Sequence, residues 1–318
     1  MPRFKDFEPK GVIPATLLAF NEDFSIDEAS TRKHTQDVSL VDGITAIAIN
    51  AHASEVHACA FDEQRRILDV TMEEIGDRLP VINGVYADGS QEAAKLARMA
   101  EAGGASCLLV LPPHSIGMFG GQLRPEMALA HFKTIADATD LPIIVFQYPG
   151  TYCYPISTLL RMIEEVPTIR AIKDWSPPMQ QEIHVRELQS LPRPVNVLST
   201  NSSWLMASLT MGCNGLLSGS GSVIADLQVA LFQAVQDQDL ARAQEINDRI
   251  YPTAQAFYSE PFGDMHNRMK EALVILGRLP RAVVRPPLVK LTEAEIQGIE
   301  QAMKAAGLTR DGAFSQAA

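Results

Sequence analysis

The sequence predicts an α/β protein, a closed (β/α)8 TIM barrel with a C-terminal helical domain. Three observations carry this reading. Short runs rich in Val, Ile and Leu alternate with longer stretches of helical spacing, and eight such pairs fit between residues 11 and 236. The apolar runs are continuous, which suits parallel strands covered on both faces. After the first strand, "PATLLAFNED" contains no glycine, so the Gly-rich turn of an open dinucleotide-binding sheet is missing. Eight units without that turn favour closure into a barrel over an open sheet.

Taken in order, strand-like 11–20 leads to helical spacing over 26–40, and 43–50 leads to 61–77. The run 79–86 precedes 90–103, a helix expected to start at a Ser90 N-cap and stop at Gly103. The pairs 105–113 with 125–138, 141–149 with 156–165, and 168–175 with 178–191 follow. The last two strands, 194–201 and 213–221, precede "SSWLMASLTMG" and 224–236. Beyond residue 240 only amphipathic helical patterns remain: 241–258, 267–277 and 292–307. The expected division is therefore a barrel over 9–240 and a helical domain over 241–318. The final "LTRDGAFSQAA" reads as a loose end.

Composition excludes several classes. Of 318 residues, 46% are hydrophobic and 20% charged, which is enough for a large core. The net charge is -11 and the pI about 5.1, with no Lys/Arg cluster. Neither nucleic acid nor an anionic membrane is an expected partner. The N-terminal "MPRFKDFEPKG" lacks an apolar signal region, and no run approaches the ~18 apolar residues of a membrane span. Cys59, Cys107, Cys153 and Cys213 are scattered without a C-x-x-C pair, so buried free thiols in the cytoplasm are expected. "EVHAC" (55–59) would align Glu55, His57 and Cys59 on a strand, but no second cluster accompanies it and no metal is expected. The acidic "DVTMEEIGDR" reads as a solvated helix face.

The chemically informative stretch is "TIRAIKDWSP" (168–177). Period-two alternation puts Ile169, Ala171 and Lys173 on one strand face. If that face is the barrel interior, Lys173 sits at the mouth end of the sixth strand, where barrel active sites are built. Burial would lower its pKa and make it an amine nucleophile toward carbonyls, with no metal or organic cofactor required. The competing fates are extension into solvent and pairing with Asp174.

These features together resemble the dihydrodipicolinate synthase / N-acetylneuraminate lyase family of class I aldolases, from about Gly11 to Leu308. "AIKD" resembles the family's Schiff-base lysine strand, with Lys173 on the lysine. "IIVFQYP" resembles its Y-N-x-P strand, "NAHASE" its G-T-T-G-E segment, and "TMGCNGLLSGSGSVIAD" its seventh helix and eighth strand. The resemblance implies a lyase acting on a 2-oxo acid such as pyruvate, without a cofactor, in a homotetramer. It also implies departures. Phe146 stands at the proton-shuttling tyrosine, and His52 and Ala53 at the paired hydroxyls. His114 stands at the loop tyrosine and Thr151 at a carboxylate-holding arginine. True dihydrodipicolinate synthase activity is therefore not expected. His52 is the expected shuttle, because imidazole suits acid–base work near neutral pH. Tyr148, two residues past Phe146 on the same strand face, and Tyr152 are candidate relocated phenols. Ser54 and Glu55 are expected to order the mouth, and Thr200, Leu217 and Ser218 to line the pocket. "SGSGS" (218–222) is a candidate anion-binding turn; Trp175 is a candidate pocket wall and Trp204 a structural residue. A 2-keto-3-deoxy sugar acid dehydratase, a non-catalytic ligand-binding relative and a metal-dependent aldolase are the competing readings.

Overall fold

A computed structural model describes residues 4 and 6–310. Eight strands run parallel: β1 (Gly11–Pro14), β2 (Ile47–Ile49), β3 (Val81–Val85), β4 (Cys107–Val110), β5 (Ile143–Gln147), β6 (Ile169–Asp174), β7 (Asn196–Ser199) and β8 (Gly215–Ser218). Their order is β1-β8-β7-β6-β5-β4-β3-β2. Bridges Val12↔Ile44 and Ala15↔Ala48 join β1 to the β2 segment and close the barrel. The helices between them are α1 (Glu28–Ser39), α2 (Phe61–Ile75), α3 (Ser90–Ala102), α4 (His114–Met118) and α5 (Pro125–Ala136). Then come α6 (Ile156–Glu165), α7 (Pro178–Gln189), α8 (Leu205–Met211) and α9 (Gly221–Gln236). The C-terminal helices are α10 (Leu240–Phe257), α11 (Met265–Ile275) and α12 (Glu293–Ala305). The expected loose end falls largely on 311–318, outside the described residues.

Strand residues divide by period two. Ala48, Ile82, Leu109, Ile144, Phe146, Ala171 and Leu198 share the inner core. Ile47, Val81, Val110, Val145, Ile172 and Val197 pack outward under the helices. Buried on both sides, these strands have no room for polar alternation, which is why they read as apolar runs. The expected face shared by Ile169, Ala171 and Lys173 needs correction at its first member. The β5–β6 register shifts between Ile143 and Ile144, so Ile143 pairs with Ile169 but Ile144 with Ala171. Arg170 is the extra residue of this bulge, and Ile169 joins the outer core. Register is restored above it, and Phe146 pairs with Lys173.

Two other expectations change. The α3 N-cap is Gly89, not Ser90, whose hydroxyl instead bonds His131 Nδ1 at 3.1 Å. Residues 55–59 do not form a strand; Glu55 separates two 3-10 turns, His52–Ser54 and Val56–Ala58. The Gly-rich 218–222 stretch leads into α9 with its serine hydroxyls packed and Gly219 facing the barrel-mouth cavity. Ser218, Ser220 and Ser202 hydroxyls bond one another at 2.9–3.1 Å, and Ser222 Oγ donates to Ala15 O.

Candidate active site

The barrel mouth and the C-terminal helices enclose a cavity of about 350 Å³. Lys173 lines it. The side chain is 5% exposed, and burial pulls its amine from 10.5 to about 7. Neither bland fate holds. Lys173 does not reach solvent along the surface, and Asp174 points the other way. The Asp174 carboxylate accepts from His184 Nδ1 at 2.8 Å and from Ser176 N at 2.9 Å. Among the described residues no acid pairs with Lys173. Its Nζ instead lies 4.1 Å from the centroid of the Phe146 ring.

Of the residues expected at the site, Lys173, His52, Glu55, His114, Phe146, Tyr148 and Thr200 all line this cavity, as does Trp175. Tyr148 follows β5 and stacks on Phe146, with centroids 4.2 Å apart and planes at 27°. His52 Nε2 and the Tyr148 phenol share a hydrogen bond. His52 is positioned by the turn that carries it. Asn50 Nδ2 donates to Gln64 O and Asn83 Oδ1 at 2.8 Å each, fixing the end of β2. Behind it, a Cβ on Gly84 would lie 1.9 Å from Asn50 O, so only glycine lets β3 approach this closely. Burial, followed by the charges of His266 and Lys173, holds His52 well below 6.5. It is thus a neutral imidazole at neutral pH, not the group titrating near pH 7 that the sequence suggested.

Three expected residues do not line the cavity. Ser54 turns its hydroxyl away, donating to Thr16 O at 2.9 Å. Leu217 is buried in the inner core. Ser218 is consumed by the serine network and approaches the Tyr258 phenol at 3.5 Å. Thr151 lies in the 3-10 turn Gly150–Tyr152, but its side chain falls outside the described residues.

Sequence reasoning missed the contribution of the helical domain. Phe262, Met265, His266 and Leu288 all line the cavity. Burial pulls His266 down to about 3. One turn further along α11, Lys270 forms a fully buried ion pair with Glu55 and donates to Val283 O at 2.8 Å. Arg285 N donates to the other Glu55 oxygen at 3.0 Å. Glu55 holds a left-handed backbone (φ 50°, ψ 41°), unfavourable for a non-glycine residue and maintained by these tertiary bonds. The pair ties α11 to the turn bearing His52. Lys270→Met is expected to cost about 3–5 kcal/mol of stability by stranding a buried carboxylate. An unchanged urea midpoint would contradict that assignment. For a metal, among the described residues no group of three His, Cys, Asp or Glu side chains converges. Burial raises the Cys59 thiol to about 12, unlike a poised thiolate.

The fold and cavity define a (β/α)8 barrel with a desolvated, unpaired amine at its mouth. The chain belongs to the Dihydrodipicolinate synthetase family, whose profile matches residues 8–306. The family is one of lyases, and the chain is a lyase at that level. It is 29% identical over 301 residues to 4-hydroxy-tetrahydrodipicolinate synthase of Gluconacetobacter diazotrophicus, covering 94% of this chain and 97% of that one. The enzyme of the same name from Salinibacter ruber is 30% identical over 255 residues, covering 79% and 81%. Among solved structures, a monomeric dihydrodipicolinate synthase variant superposes with TM-score 0.86 at 23% identity, covering 97% and 99%. YagE, an E. coli K12 prophage protein solved in complex with pyruvate, has TM-score 0.86 at 21% identity, covering 94% and 99%. No helix among the described residues is long and apolar enough to cross a membrane.

Proposed function

We propose that the chain is a lyase that joins Lys173 to the carbonyl of a 2-oxo acid as a Schiff base. The observation that carries this is the amine itself, buried at the end of β6 without an acid partner and drawn to about 7. A substantial neutral fraction at physiological pH is what a carbonyl nucleophile needs. The names of the relatives and the pyruvate held by YagE support a pyruvate-type substrate.

The neutral Nζ adds to C2 of the acid, and water leaves to give the imine. Once protonated, the imine withdraws electrons from C3. Either C3 then loses a proton or the C3–C4 bond breaks. The Phe146 face, 4.1 Å from Nζ, stabilises the cationic form through its quadrupole. Phe146 has no hydroxyl, so it moves no proton. That task falls to Tyr148, with neutral His52 as its hydrogen-bonded base. Thr200 supplies a hydroxyl for the substrate within the same cavity.

Exchange of the pyruvate methyl protons for deuterium, followed by NMR, tests this without knowledge of the second substrate. The enzyme should catalyse exchange, and kcat/KM should rise through pH about 7 as the amine deprotonates, then level off. Absence of exchange at any pH would remove the Schiff-base reading.

We also propose an oligomer, a tetramer by family resemblance. Met118, Phe119 and Leu123 are 66%, 85% and 70% exposed on one stretch following β4, apolar side chains that a neighbouring subunit would cover. Sedimentation should give a multiple of 34.7 kDa; a monomer at micromolar concentration would contradict this.

A further inference from the structure

Resting on the Schiff-base reading, we infer that the aldehyde this lyase joins to, or releases from, its 2-oxo acid carries an aromatic or otherwise planar apolar group. A polyhydroxylated chain is the poorer match to the ring-lined wall. From the amine outward, one wall is a succession of rings. Lys173 Nζ lies over Phe146, and Phe146 stacks on Tyr148. Tyr148 meets Trp175 at 6.5 Å between centroids, and Trp175 meets Phe262 at 6.0 Å. Phe262 is 43% exposed and stands at the rim. Met265 and Leu288 also line the outer part. A flat ring entering past Phe262 meets ring faces and edges all the way to the reacting carbon, the geometry aromatic pairs favour.

Part of the polar lining is already engaged, while His114 Nε2 is buried without a hydrogen-bond partner and His57, His266 and Thr200 also face the cavity. His52 and Tyr148 share their hydrogen bond, and Ser202 donates to the Tyr258 phenol at 2.9 Å. Glu55 is held by Lys270 and by Arg285 N. Among the described lining residues there is no Arg, Asp, Asn or Gln. A sugar-acid chain would lay several hydroxyls along the wall of rings, which offers them no hydrogen-bond partners beyond the Tyr148 phenol and the Trp175 indole, and unpaired hydroxyls are costly when buried. A three-carbon acid alone would leave much of the 350 Å³ empty.

In the cleavage direction, the C4 hydroxyl of the bound imine gives its proton to the Tyr148–His52 pair. The C3–C4 bond breaks, its electrons pass into the protonated imine, and the aldehyde departs. The resulting enamine takes a proton at C3. Water then attacks C2 and releases pyruvate and the free amine.

The test gives the intact enzyme pyruvate with benzaldehyde, cinnamaldehyde or glyceraldehyde and compares kcat/KM by product mass. The aryl and enal partners should exceed glyceraldehyde by about tenfold or more, and Phe262→Ala should shrink that ratio about fivefold. Equal rates, or a preference for glyceraldehyde, would overturn the inference. Pyruvate deuterium exchange run in parallel separates the two levels. Exchange without aryl preference sinks only the substrate class. If exchange is absent, calorimetry with 4-phenyl-2-oxobutanoate decides. Binding tenfold tighter than a 2-keto-3-deoxy sugar acid keeps the aromatic pocket, and equal or weaker binding removes it.

Discussion

Lys173→Met is expected to abolish turnover and to make the fold more stable. The loss of activity follows from deleting the nucleophile, with kcat falling by about four orders of magnitude or more. The gain in stability follows from linkage. The amine titrates at about 7 in the fold and at 10.5 when unfolded. The unfolded chain therefore binds the proton more tightly, and burying the charged form destabilises the native state. That penalty is fully present below pH 7, shrinks as pH rises from 7 to 10.5, and is gone above 10.5. Its size is on the order of 3–5 kcal/mol at most. Loss of the Phe146 contact offsets about 1 kcal/mol of it. Urea unfolding at pH 6 should show the variant more stable by ~2–4 kcal/mol, and the gain should fade by pH 10.5. A variant less stable at both pH values would mean that the amine is solvated in the native state.

Tyr148→Phe should lower kcat by about 10²–10⁴-fold, the range associated with a positioned proton donor. The substitution keeps the ring stacked on Phe146 and removes only the phenol that bonds His52. Stability should change by no more than about 1 kcal/mol. His52→Ala should cost a similar factor. The double variant should be little worse than either single one, because two groups that pass one proton fail together. Additive losses, or wild-type turnover in Tyr148→Phe, would assign proton transfer elsewhere in the cavity.

Much of this was legible because it is local in sequence. Apolar runs and helical spacing placed eight strand–helix units, and a lysine at the end of such a run marked the centre of the site. Phe146 and Tyr148 were readable together because residues two apart share a strand face. What failed depended on register. Leu217 and Ser218 are neighbours in β8, yet whether either meets the cavity depends on barrel closure and on the serine network behind it. The Arg170 bulge broke an alternation that sequence alone presents as regular. What was missed altogether came from far along the chain. His266 and Lys270 sit on α11, where Arg268, Lys270 and Glu271 are all buried although charged residues ordinarily mark a solvent face. One signal was available: Glu55, in a turn at a barrel mouth, requires a cation if buried, and the appended helix supplies it.

The most direct measurement is reduction of the enzyme with borohydride in the presence of pyruvate, followed by peptide mass mapping. One reduced pyruvyl adduct per chain, on Lys173 and absent from Lys173→Met, is the expected result. An unmodified chain, or an adduct on Lys270 or a surface lysine instead, would contradict the central claim that the buried amine of β6 is the nucleophile.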